Sequence, residues 1–161
     1  MMTITELNTI KEELVESMKG VFEKDKSIDP MAIMIGQDGK IGFVSMPFRD
    51  HQEKQGMING LKAMCRSLNP AAIVIMHEAW ILVVDKNDKE GIKKVEDLAK
   101  SGESIKDLDG RKESVVVMFE TFLGHEMITY DVDSNKKLIN ELRTKEVRGI
   151  FCNLLTPVNQ N

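Results

Sequence analysis

An α+β fold is predicted by three features of the chain. Two long stretches repeat apolar residues at helical spacing, short apolar runs are joined by hairpin-type turns, and residues 70–84 (PAAIVIMHEAWILVV) are apolar on both faces. A strand of that last kind must run inside a sheet covered on both sides. The expected architecture is a single domain with an antiparallel or mixed sheet of about five to six strands and two main helices. At 161 residues the chain is long enough to bury one core and short for two.

Thr3 and Glu6 have capping-box spacing, and Leu7, Ile10, Leu14, Met18, Val21 and Phe22 follow at helical intervals, predicting a helix over 4–24. Pro30 breaks it. Apolar runs at 31–35 and 41–46 flank Gln37-Asp38-Gly39-Lys40, a hairpin signal. Asp50 and Glu53 repeat the capping spacing, and Met57, Leu61, Met64, Cys65 and Leu68 mark the face of a second helix that Asn69-Pro70 ends. Residues 85–112 form a charged excursion from the sheet, with a short helix through Ile92, Val95 and Leu98. Strands over 114–123 and 126–132 are joined by Gly124-His125, read as a type II′ turn. A polar helix over 135–144 and a last strand over 150–155 complete the order.

This order of elements is similar to that of the profilin-like and roadblock-type folds, and its first half is compatible with a deaminase-like sheet. The Glu78-Ala79-Trp80 strand, followed across the excursion by Asp109, Arg111 and Glu113 before the next strand, resembles a pattern in small uncharacterised proteins of bacteria and their phages. The resemblance spans residues 70–125 and implies no activity and no site roles.

Formal net charge is −4, and no dense run of Lys and Arg interrupts the acidic background, which argues against nucleic-acid binding. Charges at Glu6, Lys11, Glu12 and Glu13 break any leader-like apolar core, and no apolar run has membrane-spanning length, so a cytoplasmic location without membrane association is expected. Cys65 and Cys152 lack metal or redox spacing and read as buried reduced thiols. The eleven methionines read mainly as core filling. Neither a cofactor nor a metal is implied: no H-x-x-x-H or H-E-x-x-H spacing occurs, Gly36–Gly39 lacks the Lys-Ser/Thr ending of a phosphate loop, and no G-x-S-x-G is present.

Strand geometry sends His77 and Glu78 to opposite faces, so the two side chains of this dipeptide cannot serve one site. His77 reads as a buried imidazole bonded to a backbone carbonyl. An antiparallel pairing that sets residue 84 against Ser114 would bring Glu78 opposite Glu120, with Trp80 beside Met118. Two such carboxylates would share a proton or a cation. Glu78 and Glu120 are therefore the catalytic candidates, and Trp80, Met76, Met118 and Phe122 the binding candidates. The leading expectation is a non-enzymatic module that presents the Trp80 face of the sheet to a protein partner or to a second copy of itself. The alternative is a small enzyme or ligand-binding domain built on Glu78 and Glu120.

Overall fold

The computed structural model describes residues 1–82, 84–101, 110–145 and 154–155. Thr3 opens α1 (Ile4–Asp25) with a complete capping box: its hydroxyl accepts from Glu6 N–H, and the Glu6 carboxylate accepts from Thr3 N–H. The hairpin β1 (Met31–Ile35) and β2 (Ile41–Ser45) turns at Gly39, whose φ of 81° suits glycine. Asp50 caps α2 (His51–Leu68) by accepting from Glu53 N–H at 2.8 Å, and Glu53 in turn accepts from the Arg49 guanidinium and backbone.

The remaining elements are β3 (Ala72–Leu82), α3 (Lys89–Ser101), β4 (Arg111–Thr121), β5 (Gly124–Val132) and β6 (Leu138–Thr144). Among the described residues the six strands form one antiparallel sheet in the order β2-β1-β3-β4-β5-β6. The α+β class is as the sequence predicts. The both-faced apolar strand, β3, does lie inside the sheet, and the two helices cover opposite sides of it. Leu7, Val15, Met18 and Phe22 of α1 pack on Val74, Met76, Val115, Val117 and Ile128. On the other face, Ile58, Leu61 and Cys65 of α2 pack on Ile73, Ile75, Val116 and Met118, together with Leu154 and Leu155.

Two local expectations fail. The turn between β4 and β5 is Phe122-Leu123, with Thr121 opposite Gly124, so Gly124-His125 already belongs to β5. Neither turn residue has positive φ. The Thr121 hydroxyl accepts from Leu123 N–H and stabilises the turn in place of a glycine. Because the register moves by four residues, an even number, the two faces of β4 and β5 remain as expected. Residues 138–144 form a strand where a helix was expected. The Asp133 carboxylate accepts from the N–H groups of Asn135 and Lys137, Lys136 takes a φ of 58°, and this turn folds β6 back onto β5. The expected strand over 150–155 lies outside the described residues except for Leu154 and Leu155, which are not in a strand.

Arg143 of β6 ties the sheet to α1. Its guanidinium donates to Glu12, at 2.9 Å through Nη2, and also meets Glu126 and Glu141. The Arg143 bond pulls the Glu12 carboxyl down to about 2 from an ordinary 4.5. As pH falls the unfolded chain therefore takes up this proton first. The stabilisation is present above about pH 4.5 and is lost as pH falls toward 2. The Glu12 side chain is 47% exposed, so solvent screening holds the contribution to about 1 kcal/mol or less. Glu12→Gln is expected to flatten the acid limb of a stability-versus-pH curve in that window and to leave pH 7–9 slopes unchanged. An unaltered acid limb would show that the pair adds nothing.

Candidate functional site

Trp80 lies exposed near the C-terminal end of β3. Its ring, 43% exposed, lies under the Arg111 guanidinium at 5.2 Å from the centroid, a stacking contact between neighbouring strands. Directly opposite Trp80 on β4 is Glu113, which accepts from Lys136 Nζ at 2.6 Å. Glu78 lies one step inward on the same face. Burial raises its carboxyl, the Ile28 backbone N–H opposes that rise, and the charge of Glu113 adds to it. The acidic neighbours of Glu78 are thus Glu113 and Asp29, residues that sequence reasoning did not place there.

Glu120 is not in this group. β3 and β4 pair with Glu78 opposite Val115 and Ile73 opposite Glu120. The register differs from the supposed one by five residues. An odd shift exchanges the faces as well as the partners. Glu120 consequently lies on the α2 face, 6% exposed, where its two oxygens accept from Leu154 N–H at 2.9 Å and Leu155 N–H at 3.1 Å. Burial raises its carboxyl, and the two amide bonds work against that rise. The carboxylate pair proposed from the sequence does not form, and each member is bonded to backbone: Glu78 to the loop after α1, Glu120 to the 154–155 segment.

The four binding candidates also separate. Met76, 2% exposed, is packed under α1, and Met118, 7% exposed, is packed under α2. Phe122 is exposed in the turn that follows β4, at the end of the sheet opposite Trp80. Only Trp80 and Phe122 meet solvent appreciably, and they share no surface. His77 is buried on the α2 face with Nδ1 3.0 Å from the Glu78 carbonyl oxygen, which can only accept and so places the ring proton on Nδ1. Burial lowers its pKa, and the charge of Lys54 adds to the effect, which keeps the ring neutral at pH 7. Burial and the nearby Glu120 push the Cys65 thiol up to about 11, an inert state. Cys152 lies outside the described residues. A shallow depression of about 480 Å³ beside the start of α1 is lined by Asn8, Phe119, His125 and Glu126 among others, and neither Glu78 nor Glu120 lines it. Among the described residues no cluster of three His, Cys, Asp or Glu is arranged to hold a metal, and no helix is long and apolar enough to cross a membrane.

Strand β2 forms one edge of the sheet. Its residues Ile41-Gly42-Phe43-Val44-Ser45 carry no charge, and Phe43 is 66% exposed. The direction of its hydrogen bonds follows from the hairpin. Gly36 N–H donates to the Lys40 carbonyl, and Met46 N–H donates to the Pro30 carbonyl. In an antiparallel ladder bonded and non-bonded pairs alternate, so Lys40, Gly42, Val44 and Met46 turn their backbone groups toward β1. Ile41, Phe43 and Ser45 then point N–H and C=O away from the sheet, and among the described residues no strand pairs with them. Beside the strand, a groove of about 330 Å³ is lined by Met34, Val44, Met64 and Leu68. The opposite edge is protected: β6 contains Glu141 and Arg143, has Asn140 at a φ of 55°, and is interrupted by a register shift. Comparison of the chain with protein-family models, curated proteins and solved structures finds no match.

Proposed function

We propose that this chain is a non-enzymatic binding module that engages polypeptide by main-chain pairing along β2. The observation that carries the reading is the contrast between the two sheet edges: β6 is charged, bulged and tied to α1, while β2 is uncharged and regular. Outward N–H and C=O groups supply affinity for an extended segment, and exposed Phe43 and Ile41 supply side-chain contacts. The Trp80 end is a second, smaller contact patch with an aromatic anchor and a charged rim of Arg111, Glu113 and Lys136. The reading as a carboxylate enzyme has no such support, because Glu78 and Glu120 lie on opposite faces and each is engaged by backbone amides.

A photo-crosslinking amino acid placed at position 43, and separately at Trp80, tests this in the producing cell. Position 43 is expected to yield discrete polypeptide adducts identifiable by mass spectrometry. If light produces no adduct at position 43 while an installed control at a known interface reacts, the edge is not a binding surface.

A further inference from the structure

We infer that the polypeptide taken up by β2 is the β2 strand of a second copy, joined about a twofold axis that passes beside Phe43. The inference rests on the reading of β2 as a binding edge and names its partner. Three residues point their backbone groups outward, Ile41, Phe43 and Ser45, and they are centred on Phe43. An antiparallel copy with Phe43 opposite Phe43 therefore sets Ile41 opposite Ser45 of the other chain at both ends. All three pairs are then of the bonded type, and every outward N–H and C=O of the strand has a partner. A shift by one residue turns outward groups toward inward ones, and a shift by two leaves a residue at each end unpaired.

Charge and side-chain fit agree with a copy as the occupant. No charged residue lies within Ile41–Ser45, so the strand meets itself without like-charge repulsion, and the two Lys40 side chains fall at opposite ends of the paired ribbon. On the α1 face the two Phe43 rings, each 66% exposed, come side by side, with Cα atoms about 5.5 Å apart. On the α2 face Gly42 comes opposite Val44, where a non-bonded pair approaches to about 4.5 Å and the absent side chain avoids crowding. A five-residue strand is about 17 Å long, so the contact belongs to the small class below about 1,200 Å². The dimer is accordingly weak and concentration-dependent, and joins two six-stranded sheets into one.

Sedimentation of the full chain from about 10 µM to about 1 mM reads the assembly, and paired cysteine variants read its register. The apparent mass is expected to rise from 18.2 kDa toward twice that value, and Phe43→Lys to weaken dimerisation about tenfold or more with its thermal melt unchanged. Under mild oxidation a mixture of Ile41→Cys and Ser45→Cys is expected to form the heterologous cross-link. Neither variant alone does so, since like positions are then about 14 Å apart, beyond the reach of about 7 Å for a disulfide. Mass spectrometry of the linked peptides separates these thiols from Cys65 and Cys152. A wild-type mass that remains at 18.2 kDa throughout, or cross-linking of Ser45→Cys alone as strong as in the mixture, overturns the self-pairing. If the chain is monomeric yet position 43 forms adducts with a different protein, self-pairing fails and the edge-binding reading stands. Absence of both ends the two together.

Discussion

Glu120→Ala is expected to lower the free energy of unfolding by about 3–5 kcal/mol, the largest loss from any single polar substitution among the described residues. The carboxylate accepts two backbone N–H groups 34 and 35 positions ahead in sequence, and each charge-assisted bond contributes about 1.5–3 kcal/mol. Without it two buried donors lose their acceptor. The 154–155 segment must then either remain with unsatisfied amides or leave, and leaving exposes Leu154 and Leu155, now 1% and 7% accessible. Glu120→Gln keeps the shape but turns an amide NH₂ toward one of the two donors, and is expected to cost about 1–3 kcal/mol. Cys65 supplies a second readout, since it shares a packed cluster with both leucines. Its native-state alkylation is expected to be slow in the wild type and to accelerate in Glu120→Ala. Equal denaturation midpoints and equal Cys65 labelling for the two proteins would mean that the 154–155 contact adds no stability.

The second large effect is expected at Lys11, which is 4% exposed on the buried face of α1. Its Nζ donates to Asn8 Oδ1 at 3.3 Å, pairs with Glu126 and Glu12 at 3.4 Å each, and stands 5.2 Å from the centre of the Phe119 ring. Lys11→Ala removes both the charge and the aliphatic stem, leaves Glu126 dependent on the partly exposed Arg143, and opens space over Phe119. The expected loss is about 3 kcal/mol. Lys11→Met restores the stem without the charge. If packing dominates, it recovers most of the loss; if charge compensation of Glu126 dominates, it does not, and adding Glu126→Gln recovers stability instead. Thermal denaturation of the four proteins distinguishes these, and a Lys11→Ala variant as stable as the wild type would contradict both accounts.

What was legible in the chain was whatever local chemistry specifies. Thr3 with Glu6, Asp50 with Glu53, and Asp38-Gly39 mark their caps and turn through contacts no more than a few residues away, and the structure has them all. The opposite orientation of His77 and Glu78 likewise needs only the period of a strand. Register was not legible. Between β3 and β4 the chain makes a long excursion with no tight turn to count from, and apolar residues on both faces of β3 tolerate several alignments. The β4–β5 turn misled because Gly124 is the obvious turn residue, whereas Phe122-Leu123 is held by a threonine hydroxyl. At 138–144 the spacing of Leu138 and Leu142 imitates a helix, and the Asp133 turn decides for a strand. The donors of Glu120 come from a distant segment with no sequence mark. The importance of β2 depends on its being at an edge, a property of strand order and not of its own residues.

The Glu120 clamp also sets an order of events during synthesis. Glu120 is separated from the amides that satisfy it by β5 and β6, so its strand is made and emerges before those donors do. Through that interval the α1 side of the sheet has all its described partners, while the α2 side holds a carboxylate that must remain hydrated. Water therefore keeps access to the α2 face until Leu154 and Leu155 arrive, and the two halves of the core close at different times.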